Sequence, residues 1–158
     1  MNVHFICRGN AHRSVMAEAY LKSLNLPGVT VFSSGVVADK DREPNRVHLQ
    51  DTRTMLAEHG IGDYAKSESE QLTQDRLSED DVTICVNQIA YDEGAKFLTF
   101  PSNTIIWDIN DTGEGNRQLK TGDPETYFDE QIFSQIKANI DLFVAATPAR
   151  SMLSLAFE

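Results

Sequence analysis

The sequence predicts a single α/β domain, with a four-stranded parallel sheet and helices on both of its faces. Short apolar runs that suit buried strands alternate along the chain with segments whose apolar residues recur at helical spacing. The length of 158 residues suits one domain with a core of its own. In a sheet of this kind, ligands bind beyond the carboxyl ends of the strands.

The first half of the chain supplies two strands and two helices to this prediction. The apolar runs VHFI at 3–6 and VTVF at 29–32 are predicted strands. From Arg13 to Leu24 apolar residues follow a helical period, with Ser14 as the expected N-cap, and Pro27 ends the segment. A loop is expected at 36–45, and a second helix from 47 to 60, where Gly60 stops it.

The second half repeats the pattern. Strands are predicted at 82–86 and 103–109, with a helix at about 90–97 between them. The stretch 110–125 is rich in Gly, Asp, Asn and Thr and is predicted to be a long loop. Residues 127–145 form the last predicted helix, which completes a domain at 1–146 and leaves a C-terminal tail at 147–158. The role of the tail and the oligomeric state are left open.

Composition excludes several classes of function. The net charge of −10, with no Lys/Arg-rich block, argues against binding to nucleic acid or to an anionic membrane. No apolar run approaches the roughly 20 residues that span a bilayer, and no signal peptide is recognised. Two cysteines do not make a disulfide framework, so a cytoplasmic location is expected. No metal or cofactor is predicted.

The segment CRGNAHRS at 7–14 carries the chemistry. It joins the first strand to the first helix, where inward backbone N–H groups and the helix dipole form an anion cradle. Arg13 is predicted to clamp two oxygens of a tetrahedral oxyanion. Cys7 is the predicted nucleophile, because this positive field favours a thiolate. The predicted substrate-binding residues are Arg8, Gly9, Asn10, Ala11, His12 and Ser14. The plain alternative is a core cysteine near surface arginines.

The segment FICRGNAHRSVMAEA resembles the N-terminal signature of the low-molecular-weight protein tyrosine phosphatases. Further similar segments are SSG at 33–35, EHGI at 58–61 and IWDIND at 106–111. The resemblance implies that Cys7 attacks phosphorus, that a cysteinyl-phosphate forms, and that water hydrolyses it. It also implies that Ser33 holds Asn10, and that an aspartic acid on a facing loop serves as acid and then as base.

The sequence departs from the family pattern at three places. The expected general acid is Asp111, but Thr112 follows it instead of proline. Asp123 (which precedes Pro124), Asp108 and the lack of a general acid remain the alternatives. His12 replaces the second loop cysteine. The loop at 36–45 has no aromatic residue to hold a phenyl ring, and Trp107, Tyr91 and Tyr127 are the candidate substitutes.

Three functional hypotheses follow. The first is a cysteine-dependent phosphatase acting on a phosphotyrosine protein, or on another aryl or small phosphomonoester. The second is an arsenate reductase that uses an external thiol, since Cys85 alone cannot complete a two-cysteine relay with Cys7. The third is a non-catalytic module that binds phosphate or a phosphoprotein.

Overall fold

The computed structural model describes residues 1–109 and 125–147, the side chains of 125–128 excepted. Four strands are present among them: β1 (Asn2–Cys7), β2 (Thr30–Gly35), β3 (Val82–Cys85) and β4 (Ile105–Ile106). The helices are α1 (Arg13–Ser23), α2 (Arg42–Glu58), α3 (Gln74–Ser78), α4 (Gln88–Ala95) and α5 (Glu125–Ala146), with a short 3₁₀ turn at Gly62–Tyr64.

The sheet confirms the predicted fold class. Its strand order is β2-β1-β3-β4, and every pair is parallel. β1 is therefore central, and its last residue, Cys7, lies opposite Gly35 at the carboxyl edge. Because each crossover passes over a face of the sheet, the loop that follows β1 emerges between its two neighbours.

Two apolar clusters cover the two faces of the sheet. The larger one joins β1 residues such as Phe5 to α1, α2 and α5, and includes Met16, Leu56 and Phe133. The smaller one joins Ile6 and Cys85 to α3 and α4. Alternate residues of one strand point to opposite faces, so neighbouring positions such as Phe5 and Ile6 serve different clusters.

The structure corrects several predicted boundaries. Helix α2 begins at Arg42, so the end of the predicted loop at 36–45 is helical; Pro44 fits because a first-turn residue needs no intrahelical N–H partner. Helix α3, at Gln74–Ser78, was not predicted. The side chain of its N-cap residue, Thr73, accepts a hydrogen bond from the backbone N–H of Arg76. β4 pairs over two residues only. Residues 110–124 of the predicted long loop and 148–158 of the predicted tail lie outside the described residues.

A cluster of buried polar side chains lies on the face of the sheet that the smaller apolar cluster covers. His4 is fully buried, with Nδ1 2.8 Å from Asp80 Oδ2 and Nε2 2.8 Å from Ser34 Oγ. Thr83 also donates to Asp80 Oδ2 at 2.8 Å. Each of the three side chains from the sheet thus finds a partner, as burial of polar groups requires. The His4 and Asp80 side chains are 0% and 1% exposed, so this cluster stabilises the fold.

None of the described helices is both long enough and apolar enough to cross a bilayer.

Helices α1 and α5 are joined by a hydrogen bond that has a measurable pH dependence. The Tyr20 hydroxyl donates to Asp141 Oδ1 at 2.6 Å, and this bond, followed by burial, raises the pKa of Tyr20 to about 12. Because the folded state holds this proton more tightly, the bond contributes its full stability below about pH 10. That contribution is lost as the pH rises toward about 12.

We expect Tyr20→Phe to remove one late step from the tyrosinate absorbance titration of the folded protein. Its effect on the free energy of unfolding near neutral pH should be small, about 0.5–1 kcal/mol, because water screens this exposed pair. Asp141→Asn is the matched control: it should return the Tyr20 step to lower pH while retaining the residue. A late step that persists in Tyr20→Phe would contradict this assignment.

Candidate active site

The loop between β1 and α1 is a compact cradle with a buried floor. Cys7 is 2% exposed, and Asn10, Arg13 and Ser14 are equally shielded, whereas Arg8 reaches solvent. Asn10 has a φ of 52°, in the left-handed region that asparagine tolerates better than most residues. This conformation turns the chain sharply enough to aim the Asn10 N–H at the Cys7 sulfur, 3.1 Å away.

The Cys7 sulfur receives a second contact from Ser14, whose Oγ lies 2.9 Å from it. The surrounding bonds define the environment of the Ser14 oxygen. The Glu70 N–H donates to Asn10 Oδ1 at 2.8 Å, so Asn10 Nδ2 must be the donor to Ser14 Oγ, also at 2.8 Å. The Ser14 oxygen accepts from Asn10, which leaves its own proton available to the sulfur. Two donors therefore converge on Cys7, an arrangement that suits a thiolate.

Ser33 holds the other side of the Asn10 amide, as the family resemblance implied. Asn10 Nδ2 donates to Ser33 Oγ at 2.9 Å, and Lys66 Nζ donates to the same oxygen at 3.2 Å and to the Ser33 carbonyl at 2.9 Å. The Ser33 proton then goes to Glu18 Oε2 at 3.1 Å. Glu18 is 4% exposed, and its other oxygen accepts from Lys22 at 3.4 Å.

The segment before Leu72 closes the support of the loop. Ser69 Oγ donates to the Asn10 carbonyl at 2.7 Å, and Lys66 pairs with Glu70 at 3.1 Å. The Ser69 hydroxyl and the Glu70 N–H thus satisfy the backbone and the side-chain oxygens of Asn10, respectively. Lys66, Ser69 and Glu70 were missed by the sequence analysis, because they lie in a polar stretch with no periodic pattern. Glu18 was visible only as a residue early in a helix.

Gly35 allows the end of β2 to approach the cradle. A Cβ at this position would lie 2.6 Å from the Asn10 nitrogen and the Gly9 carbonyl carbon, and 2.9 Å from the Arg8 oxygen. All three are backbone atoms, which cannot rotate away as a side chain can. Val36 N–H donates to the Cys7 carbonyl at 3.0 Å and Val37 N–H to the Arg8 carbonyl at 2.9 Å, so the approach continues beyond the strand.

Arg13 connects the cradle to the far side of the sheet. Its side chain is buried, and Nη1 donates to the Ile109 carbonyl at 2.9 Å. Ile109 is itself fixed, since its N–H donates to the Val86 carbonyl at 2.9 Å. The guanidinium is thus held inside the protein at the carboxyl edge of the sheet, beside the segment that leads to Asp111.

A model of the low molecular weight phosphotyrosine protein phosphatase family matches residues 2–147. The chain belongs to this family. A protein-arginine-phosphatase of Geobacillus stearothermophilus is 41% identical over 73 residues, which are 46% of this chain and 45% of the relative. The chain therefore matches less than half of that relative's length.

Solved structures share the fold of this chain at low sequence identity. The low molecular weight protein tyrosine phosphatase SP-PTP from Streptococcus pyogenes superposes with a TM-score of 0.72, at 18% identity and 97% coverage of both chains. An arsenate reductase from Archaeoglobus fulgidus gives a TM-score of 0.59 at 22% identity, covering 90% of this chain and 98% of that one. These two likenesses establish the architecture of this phosphatase-family chain.

Within this family framework, Arg8 has a distinctive environment. Its side chain lies beside the cradle and is 45% exposed, with Nη1 3.1 Å from Asp41 and Nε 3.3 Å from Glu93. Two carboxylates against one guanidinium leave this rim with a net negative charge. Gly9 lies under Asn45, whose side chain contacts the position that a Cβ would occupy.

His12 and Ala11 are fixed from outside the cradle. Thr52 donates to the Ala11 carbonyl at 2.7 Å, and His12 Nδ1 lies 3.0 Å from the same hydroxyl. His12 Nε2 lies 3.1 Å from Asp129, within ion-pair range but without the alignment of a hydrogen bond. The His12 imidazole thus contacts α2 and α5. Ser14, the predicted N-cap, lies inside α1, whose N-cap is His12.

The remaining predicted residues are only partly brought to the site. Asp111 and Asp123 lie outside the described residues, and Asp108 is exposed. Two of the candidate aromatic walls pack elsewhere: Trp107 lies 5.6 Å from Phe5 between ring centroids, and Tyr91 stacks on Phe100 at 4.7 Å. The side chain of Tyr127 is not described.

We expect Gly35→Ala to distort the cradle, because the added methyl group meets backbone atoms on both sides of Gly9. Overpacking of this kind costs about 1–3 kcal/mol, so the free energy of unfolding should fall by that amount in a denaturant titration. Affinity for inorganic phosphate, measured by calorimetry, should fall as well.

Gly60→Ala is the control for this experiment. Gly60 has a φ of +78°, and no atom lies within 4 Å of the position that a Cβ would take, so alanine there brings backbone strain without a clash. That strain costs about 1–2 kcal/mol. The variant should lose stability but keep its phosphate affinity. Equal phosphate affinity in Gly35→Ala and the wild type would show that the loop does not depend on this close approach.

Proposed function

We propose that this protein is a cysteine-dependent phosphatase that removes phosphate from protein side chains, with Cys7 as nucleophile. The observation that carries the proposal is the convergence of the Ser14 hydroxyl and the Asn10 N–H on the Cys7 sulfur, at 2.9 and 3.1 Å. Buried Arg13 lies in the same loop, and family membership supports the same chemistry. A cytoplasmic setting fits this proposal, because the thiol must stay reduced.

In the first step, the Cys7 thiolate donates an electron pair to phosphorus and the bond to the leaving group breaks. A general acid protonates the departing atom. Arg13 and the backbone N–H groups of the loop hold the phosphoryl oxygens, since phosphoryl transfer depends mainly on positioning and charge stabilisation. In the second step, water attacks the cysteinyl-phosphate while the carboxylate of the former general acid accepts its proton, and sulfur leaves with its electrons. The Ser14 proton then stabilises the returning thiolate.

Asp111 is the proposed general acid, with Asp123 as the alternative. Its support is the position of Ile109, two residues earlier, whose carbonyl is bonded to Arg13. The described chain is therefore fixed beside Arg13 up to two residues before Asp111. The exposed Asp108 precedes this anchor and is the weaker candidate.

Phosphotyrosine is the first candidate substrate, following the family description. Phosphoarginine is the second, and a specific observation favours it. The rim residues Asp41 and Glu93 place two carboxylates beside the cradle against the single charge of Arg8, which suits a substrate whose guanidinium carries positive charge. The name of the Geobacillus relative points in the same direction.

An arsenate reductase with a cysteine relay is less well supported. Burial, and then the nearby Cys7, raise the pKa of the Cys85 thiol to about 12, which leaves it protonated and a poor nucleophile. Cys85 also points to the small apolar cluster on the far face of the sheet. Reduction with an external thiol and non-catalytic phosphate binding remain the alternatives for the assays below.

We expect the wild type to hydrolyse p-nitrophenyl phosphate, and Cys7→Ser to reduce the rate by at least about 10³-fold, because the nucleophile is lost. Cys85→Ala, which removes the second thiol, should retain activity. The same assay on phosphotyrosine and phosphoarginine peptides ranks the substrates by kcat/KM. Glu93→Gln should lower the value for phosphoarginine more than for phosphotyrosine, if the rim selects the cation.

Absence of turnover on all three substrates would refute hydrolysis. Phosphate binding that is then abolished in Arg13→Ala would identify a binding module. Arsenate-dependent consumption of glutathione would identify a reductase.

The general acid can be assigned with two variants. We expect Asp111→Asn to reduce kcat for p-nitrophenyl phosphate by about 10²–10⁴-fold, because the leaving oxygen then departs without a proton. Asp123→Asn should stay close to the wild type. The two profiles of kcat against pH separate the roles, since only loss of the acid removes the alkaline limb. The reverse pattern would transfer the role to Asp123.

A further inference from the structure

A cavity of about 460 Å³ lies between α2 and the segment 67–69. Three guanidinium groups line it, from Arg42, Arg46 and Arg53, which share one side of α2. Leu49 supplies an apolar wall, and Glu68 and Ser69 lie across from the helix. Among the described residues, none from the cradle at 7–14 lines this cavity, so it is a separate site.

The three arginines differ in how their charge is compensated. Arg42 Nη2 pairs with Asp39 at 2.5 Å and Nη1 donates to the Ser69 carbonyl at 2.9 Å. Arg46 pairs with Glu43 at 3.2 Å, where both side chains are largely exposed and the interaction is weak. No carboxylate among the described residues forms an ion pair with Arg53. Its Nε is buried and has no hydrogen-bond partner among the described residues.

A buried guanidinium N–H without an acceptor is costly, and it points to a group that binds there. The natural partner is an oxyanion, because the planar fork of arginine matches the oxygens of phosphate. The net charge of the chain is −10, so a cavity lined by three of its 14 basic residues stands out against the general surface.

We propose that this cavity binds a small organic phosphate, with the phosphate on Arg53 and the adjacent arginines. The volume corresponds to roughly fifteen water molecules, which is more than one phosphate occupies, and it lies within the usual range for ligand pockets. The organic part of the ligand packs against Leu49. Glu68 disfavours a second anionic group and accepts a hydrogen bond from a hydroxyl or an amine.

The cavity has a structural connection to the cradle. Ser69 uses its carbonyl to hold Arg42 and its hydroxyl to hold the Asn10 carbonyl at 2.7 Å. A ligand that binds Arg42 therefore acts on the contact between Arg42 and Ser69, and Ser69 supports the catalytic loop. Binding at the cavity is nevertheless independent of hydrolysis at Cys7, so the two proposals can fail separately.

The test uses the full chain with Cys7→Ser, which prevents turnover, and calorimetric titration with glycerol 3-phosphate. Two binding sites are expected, one at the cradle and one at the cavity. Adding Arg53→Gln should weaken one of them by about 10- to 100-fold, which is the value of a charged hydrogen-bonded contact. Adding Arg13→Ala should weaken the other. Arg53→Lys retains the charge without the fork and should give an intermediate affinity.

Lys40→Gln is the matched control, since it removes one positive charge from an exposed position. It should leave both sites unchanged, and thermal unfolding verifies that each variant folds. An unchanged number and affinity of sites in Arg53→Gln would overturn the proposal, as would an equal loss in Lys40→Gln. If inorganic phosphate binds the cavity as tightly as glycerol 3-phosphate, the organic part makes no contact and the ligand class is wrong.

Discussion

The orientation of the Asn10 carboxamide determines the hydrogen bonding around Cys7. Its oxygen faces a backbone N–H, which can only donate, so its nitrogen must donate to both Ser14 and Ser33. The Ser33 proton then goes to Glu18, and the Ser14 proton is available to Cys7. The Asn10 N–H and the Ser14 hydroxyl thereby both contact the sulfur. The left-handed φ of Asn10 contributes to this arrangement, because it turns the chain so that the backbone N–H faces the Cys7 sulfur.

The rest of the fold holds this loop from several directions. β2 approaches so closely at Gly35 that only glycine fits, the segment before Leu72 bonds the Asn10 oxygens, and Ile109 accepts from Arg13. These contacts come from regions that are far apart in sequence. If this loop binds a phosphoryl group as proposed, little reorganisation is needed at the moment of reaction, because the folding of the sheet has already fixed its donors.

The central features of the fold could be predicted from sequence because they depend on local patterns. Apolar runs defined β1 and β3, helical periodicity defined α1 and α5, and the residue types at 7–14 defined the cradle. The start of α2 and the existence of α3 could not be predicted, since their residues are polar and tertiary contacts decide their conformation. Lys66 and Glu18 reach the site only through folding. The arginines that line the cavity beside α2 are four or more residues apart in sequence and form no basic run.

The positions of the two thiols also determine how the protein responds to oxidants. Cys85 pairs in register with Ile6, so its side chain points to the face of the sheet opposite to that of Cys7. Both thiols are free and buried, and His12 stands where the family pattern has a second loop cysteine. In the proposed mechanism, a Cys7 sulfenic acid has no loop cysteine beside it, so a thiol from solution reduces it before it proceeds to the irreversible sulfinic state. Recovery of the proposed phosphatase from oxidative stress then depends on the reducing pool of its compartment.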